Sequence, residues 1–142
     1  MVVEARFYAD IADALFAGAR GALEDAGATH ERFEVPGAFE LPAAIAFAHK
    51  AEPGRFDGYV ALGCVIRGET SHYDYVCSES ARGLQDLAVR ENLAIGYGVL
   101  TVETHEQAWA RASVDQKNKG RDVANACLAM IALRDTLSQS GK

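Results

Sequence analysis

The run Tyr59-Val60-Ala61-Leu62-Gly63-Cys64-Val65-Ile66 narrows the folds open to this chain more than any other feature. Its positions are almost all apolar, with no alternation between polar and apolar side chains. A strand with one face in water alternates, whereas an unbroken apolar strand is covered on both faces, as in the middle of a parallel sheet. Three further segments read as strands: Val2 to Tyr8, Glu31 to Val35 (stopped by Pro36-Gly37), and Ala94 to Thr101, which Gly96 and Gly98 weaken. Between them, apolar residues recur at helical spacing. Ile11, Leu15, Ala19, Ala22 and Ala26 form one such stripe, ended by Gly27, and Cys77, Ala81, Leu84 and Ala88 form another. Phe39 to Lys50 reads as a helix that tolerates Pro42 in its first turn. Glu106 to Arg111 is a short helix, Ser113 to Gly120 a polar, mobile stretch, and Val123, Cys127, Met130 and Leu137 one side of a last helix. Ser138 to Lys142 reads as a frayed tail. Strands alternating with helices predict an α/β fold, with helix layers on both faces of a central four-stranded parallel sheet. Residues 1–142 are expected to form a single domain, long enough to bury a core without disulfide or metal.

The formal charge of −6 argues against nucleic acid or an anionic membrane as a partner, so an anionic ligand must be held by local donors. Cys64, Cys77 and Cys127 are odd in number and far apart, without a C-x-x-C pair, and read as buried thiols of a reducing compartment rather than as zinc ligands. The chain opens directly on Val2-Val3-Glu4-Ala5-Arg6-Phe7, without a basic and then apolar leader, and no apolar run approaches a membrane span. A cytoplasmic location is expected.

In open parallel sheets, ligands bind beyond the carboxyl ends of the strands. The segment Ile66-Arg67-Gly68-Glu69-Thr70-Ser71-His72-Tyr73-Asp74 leaves the central strand for a helix, with Ser71 and Asp74 at capping-box spacing. Free N–H groups at the helix start, Gly68 and the Thr70 hydroxyl make a candidate phosphate cradle, though such a turn also occurs for purely structural reasons. His72 falls at the rim of that turn, where an imidazole can move protons near neutral pH; the alternative is a half-exposed surface histidine, the reading given to His30, His49 and His105. Arg111 and Lys119 are either solvated charges or the cation a phosphate needs. Glu40 either favours a helix dipole or accepts hydrogen bonds from a polyol. Phe7 and Phe39 are either core residues, the better reading for Phe39, or a stacking face for a flat heterocycle.

These segments, taken in order, resemble the lumazine synthases. The matching pieces are Ala5-Arg6-Phe7, Val35 to Pro42, Gly63 to Asp74, Gly98 to Glu103 with Gln107-Ala108, and Asn118-Lys119-Gly120, which together span nearly the whole chain. The resemblance implies a flavodoxin-like three-layer αβα sandwich, assembled at least into homopentamers with active sites between subunits, and names riboflavin synthase as a further candidate partner. It implies the condensation of 5-amino-6-(D-ribitylamino)uracil with 3,4-dihydroxy-2-butanone 4-phosphate to 6,7-dimethyl-8-ribityllumazine, phosphate and water. That chemistry needs held reactants and proton transfers but neither electrons nor a metal, so no cofactor is implied. By resemblance, Phe7 stacks on the pyrimidine, Ala38, Phe39 and Glu40 meet the ribityl chain and ring, and Cys64, Val65 and Ile66 hydrogen-bond the ring. Glu69 and Thr70 bind phosphate, Arg111 neutralises it and His72 transfers protons. Tyr97 reaches a neighbouring subunit's site, and Lys119 lies near the ligand.

Three positions depart from the family pattern. Tyr8 and Tyr97 stand where asparagine and phenylalanine are frequent, and Ala112 to Lys117 lacks the glycine of many shell-forming members, which favours a free pentamer over a capsid. Two other readings remain on the same residues. A non-catalytic flavin- or lumazine-binding protein has no use for Arg111, Thr70 and His72 together, and a receiver-type domain needs an aspartate cluster that Asp10, Asp57 and Asp74 do not supply.

Overall fold

Four strands order the molecule: β1 (Val2–Ala5), β2 (Arg32–Val35), β3 (Gly58–Ile66) and β4 (Ala94–Val102). They pair in the order β2-β1-β3-β4, and every pairing is parallel. A computed structural model describes residues 1–140. The helices are α1 (Ala9–Asp25), α2 (Leu41–Ala51), α3 (His72–Arg90), α4 (His105–Ala112) and α5 (Lys119–Gln139). One face of the sheet packs Val2, Val60, Leu62 and Cys64 against α1, α4 and α5. The other packs Val3, Ala5, Tyr59, Ala61 and Val99 against α2 and α3. The result is a flavodoxin-like three-layer sandwich. Its middle strand β3 is buried on both sides from Tyr59 to Cys64, as the unbroken apolar run requires.

Several boundaries and faces differ from the sequence reading. The first strand stops at Ala5 rather than Tyr8. There the Arg6 guanidinium reaches the fully buried Glu4 at 2.6 Å and Asp13 at 2.8 Å, and the chain then turns into α1. Arg32 completes the neutralisation of Glu4 with two bonds of 2.9 Å, so the buried carboxylate is paired as a buried charge must be. Residues 38–40 form a 3₁₀ turn, and α2 starts only at Leu41 with Pro42 in its first turn. The stretch after α4 is a knotted turn rather than a loose one: the Asn118 N–H donates to the Ser113 carbonyl at 3.0 Å and the Lys117 N–H to the Ala110 carbonyl at 3.1 Å. On α5, Val123 and Cys127 face inward, but Met130 and Leu137 are exposed, and Ala124, Leu128 and Ile131 take the inward places. The helix passes the amino end of β3 at that point, where a Cβ on Gly58 would touch Cys127 and Ile131, so its later residues have no sheet beneath them. Ser138 lies within this helix, its hydroxyl donating to the Arg134 carbonyl at 2.8 Å, so the frayed tail does not begin there. The last two positions of that expected tail, 141 and 142, lie outside the described residues.

Helix α5 approaches α1 so closely that a Cβ on Gly120 would collide with the Leu15 carbonyl oxygen and lie 3.1 Å from the Ala19 nitrogen. Both are backbone atoms and cannot rotate away. Gly120→Ala is expected to destabilise the fold by about 1–3 kcal/mol, the usual penalty of forcing atoms into a packed contact. Urea denaturation should show a lower midpoint at unchanged slope. Gly68→Ala, where no atom lies within 4 Å of the new methyl, should leave the midpoint in place.

Candidate active site at the carboxyl edge of the sheet

Three strand ends and the turns that leave them enclose a cavity of about 540 Å³. Phe7 and Tyr8 come from the turn after β1, Pro36 to Glu40 from the segment after β2, and Cys64 to Ile66 from the end of β3. Gly68, Thr70, His72, Tyr73 and Val76 close it from the turn after β3 and the first turns of α3. The walls are apolar and aromatic with polar groups at a few points, the composition of a small-molecule site.

Phe7 is 76% exposed, its ring edge-on to Tyr8 with centroids 5.0 Å apart, so one face is open to a flat ligand. Phe39 is also exposed, at 54%, and not the core residue its sequence favoured. The 3₁₀ turn buries its neighbour Ala38 and swings the phenyl ring outward over the cavity. Glu40 follows on the same rim.

After β3 the chain turns through four exposed residues, Arg67 to Thr70, before α3 begins at His72. The capping box expected of Ser71 and Asp74 does not form. Ser71 already has helical dihedrals and no side-chain cap bond, and the Thr70 hydroxyl instead accepts the His72 N–H at 3.3 Å. Asp74 is drawn to Arg67, 3.4 Å away. The helix therefore starts where the sequence placed it, with a different residue serving its first N–H. His72, exposed at the first position of α3, and the Gly68–Thr70 turn open on the same space. That arrangement can receive an anion on the turn and a proton on the imidazole beside it.

Burial dominates the acidity of the cavity wall. The Cys64 thiol is pushed up to about 12, chiefly by its apolar surroundings and further by the nearby Asp10 and Cys77. Burial likewise raises the Tyr8 and Tyr73 phenols, so both hydroxyls stay protonated donors at neutral pH. Asp10, in the first turn of α1, has His105 Nε2 2.7 Å from its Oδ2. Burial pushes the Asp10 carboxyl upward, but the Ile11 N–H and His105 outweigh it and hold the group below its ordinary value.

The cavity gathers Phe7, Ala38, Phe39, Glu40, Cys64, Val65, Ile66, Thr70 and His72 from the sequence-derived candidates. Glu69 stands in the turn without lining the cavity. Tyr97, Arg111 and Lys119 lie elsewhere. Tyr97, opposite Ala61 on β4, borders a separate groove with Ala81, Leu84 and Ile95. Arg111 donates to the Gln107 carbonyl at 3.0 Å and forms no ion pair among the described residues. Lys119 pairs with Asp122 at 3.4 Å. Tyr73 and Val76 were not singled out from the sequence. Val76 lies one helical turn after His72, a spacing that puts both on one face and could have flagged it. Among the described residues no three His, Cys, Asp or Glu side chains gather as metal ligands, and no helix is long and apolar enough to cross a membrane.

A family model for 6,7-dimethyl-8-ribityllumazine synthase matches residues 1–135. The chain is 57% identical over 134 residues to the 6,7-dimethyl-8-ribityllumazine synthase of Bartonella henselae, covering 94% of this chain and 86% of that protein. It is 56% identical over 140 residues to the protein of that name from Agrobacterium fabrum, covering 96% and 95%. A third relative, 6,7-dimethyl-8-ribityllumazine synthase 1 of Rhizobium meliloti, is 57% identical over 140 residues, covering 96% and 92%.

The state of Cys64 can be checked directly. Burial disfavours the thiolate, so the thiol stays neutral as pH rises through 8 and 9 and ionises only near its raised value; at pH 8 on the order of one in ten thousand is thiolate. Iodoacetamide at pH 8 should leave Cys64 unlabelled over a period that fully labels a cysteine in an unfolded peptide, as read by peptide mass mapping. Equal rates would remove it from an apolar wall.

Proposed function

The chain belongs to the 6,7-dimethyl-8-ribityllumazine synthase family, and we propose that it carries out that family's condensation in the cavity at the carboxyl edge. It is a transferase that joins 5-amino-6-(D-ribitylamino)uracil to 3,4-dihydroxy-2-butanone 4-phosphate, giving 6,7-dimethyl-8-ribityllumazine, phosphate and water. One observation carries the assignment of the site: an open aromatic plate, an anion-receptive turn and an imidazole border one cavity. In this reading Phe7 stacks on the pyrimidine, Ala38, Phe39 and Glu40 meet the ribityl side, and Cys64 to Ile66 present strand-end backbone groups to the ring. The Glu69 backbone and Thr70 hold the phosphate, Arg111 neutralises it, and Lys119 lies near the ligand.

The chemistry follows from holding the two reactants side by side. The primary amine attacks the ketone and a first water leaves. Removal of the proton from the adjacent hydroxyl-bearing carbon expels phosphate and leaves an enol, which a proton transfer turns into a second carbonyl. The ribityl-bearing nitrogen adds to that carbonyl, and a second water leaves as the ring closes. Each step moves a proton, and His72 stands next to the turn where the phosphate departs. Fixing the reactants supplies several kcal/mol, up to roughly 7–11. A positioned acid–base group adds about 10²- to 10⁴-fold.

Tyr97, Arg111 and Lys119 do not line their own chain's cavity, which supports a site completed by a neighbouring copy. We therefore propose a homopentamer with intersubunit sites, formed by residues 1–142 as one domain, and a free pentamer rather than a capsid, since residues 112–117 lack glycine. Riboflavin synthase is a candidate partner of that assembly. Three free cysteines are in keeping with a cytoplasmic location. No feature among the described residues favours a non-catalytic flavin binder.

Purified protein mixed with both substrates should generate the absorbance and fluorescence of the lumazine; flavin binding without lumazine formation would refute the reading. His72→Ala should slow turnover by about 10²- to 10⁴-fold without abolishing it. Complete loss of activity in a folded protein would contradict that division of labour. Arg111→Ala should chiefly raise KM for the sugar phosphate, and an unchanged phosphate dependence would remove Arg111 from the site.

A further inference from the structure

Arg67 stands immediately before the anion-receptive turn yet lies outside the cavity lining. Its Nε donates to Glu103 Oε2 at 2.8 Å and its Nη1 to Asp74 Oδ1 at 3.4 Å, while its guanidinium carbon lies 4.2 Å from the centre of the Tyr73 ring. Its backbone N–H donates to the Val102 carbonyl at 3.0 Å, carrying the β3–β4 ladder one residue past the strand. One side chain thus ties together the end of β3, the first turn of α3 and the connection from β4 to α4.

The bonding continues beyond Glu103. The Glu103 N–H donates to Gln107 Oε1 at 2.8 Å, the Gln107 N–H to the Thr104 hydroxyl at 3.2 Å, and the Gln107 carbonyl accepts Arg111 Nη1 at 3.0 Å. Three hydrogen bonds, linked through the side chains of Glu103 and Gln107, therefore join the residue before the turn to the guanidinium of Arg111. A lone exposed ion pair orders little. Here a planar guanidinium is restrained by an aromatic face and two carboxylates at once, a geometry that an ammonium cannot reproduce.

We propose that Arg67 is a positioning residue for Arg111: through Glu103 and Gln107 it fixes the start of α4 against the anion-receptive turn, and so fixes where α4 presents the Arg111 guanidinium. The inference rests on the assignment of Arg111 to the phosphate, and it holds for whichever copy's cavity that arginine enters.

The test is steady-state kinetics of the assembled enzyme with each substrate varied in turn, on Arg67→Met, Arg67→Lys and Glu103→Gln, in the native and the Arg111→Ala backgrounds. Arg67→Met and Glu103→Gln should each raise KM for the sugar phosphate by about 5- to 10-fold, with kcat and the pyrimidine KM within about twofold. Arg67→Lys should recover less than half of that loss, because the charge returns without the fork. In the Arg111→Ala background the same substitutions should add less than about twofold, since the residue they position is gone. An equal rise in both backgrounds, a full rescue by lysine, or a loss confined to kcat overturns the proposal. An effect of Arg111→Ala with none from Arg67→Met or Glu103→Gln, in proteins with native melting curves, overturns this inference alone. No effect of Arg111→Ala overturns the phosphate assignment and this inference with it.

Discussion

The parallel ladder between β3 and β4 is the constraint from which the rest of the molecule follows. It runs without a break from Gly58 opposite Ala94 to Ile66 opposite Val102. Because the two strands are in register to their last residues, the turn after Ile66 and the loop after Val102 emerge side by side at the same height. That coincidence lets a side chain at position 67 reach one at position 103. It also sets the anion-receptive turn beside the helix that bears Arg111. The closeness of the ladder to its covering helix is visible in β4, where side chains at Gly96 and Gly98 would meet Val123 and Leu62. These glycines weaken the strand signal in the sequence, but they are what allows α5 to lie flat on the sheet.

What could be read from the residues was whatever depends on local pattern. β3 announces itself because burial on both faces removes all alternation, and its structural bounds exceed the expected ones by one residue. The stripe on α1 is legible through Ile11, Leu15, Ala19 and Ala22, which are all buried, but Ala26 is exposed just past the helix end at Asp25, where no layer covers it. The stripe on α5 was misread for a related reason. Met130 and Leu137 keep helical spacing with Cys127, but spacing does not reveal that Ile131 takes the inward place beside Met130, nor where the sheet beneath a helix ends. The knotted turn at residues 113–118 was equally invisible: its polar composition resembles a loose loop, and the bonds that close it are to backbone carbonyls.

The candidate site divides along the same line. Phe7, the Gly68–Thr70 turn and His72 are legible because the carboxyl edge of a parallel sheet is where ligands bind, and these residues follow the strands directly. Phe39 was misjudged because a phenyl group in an alanine-rich segment looks like core, and only the 3₁₀ turn sends it outward. Tyr73 and Arg67 escaped notice because their roles depend on what stands opposite them. The stacking of guanidinium on phenol and the reach to Glu103 are tertiary facts.

Charge arrangement separates Arg67 from Arg111 in the proposed reading, where the two have different tasks. The chain carries a net charge of −6, so the overall field repels an anionic substrate and attraction must be local. Arg67 is nearer the turn in sequence, but its charge is already met by the carboxylates of Glu103 and Asp74. Hydrogen bonding to Glu103 leads the causes that make its guanidinium more basic still. An arginine so compensated offers an arriving phosphate little net field, and drawing it away would strand two carboxylates beside an anion. Arg111 touches a neutral carbonyl and no carboxylate among the described residues, so its full charge remains available. A cation that must stay uncompensated until substrate arrives cannot be held by acidic neighbours, because they would cancel the charge it is there to offer. It has to be held by neutral groups, and a backbone carbonyl whose own side chain is anchored to the connection leading into α4 meets that requirement.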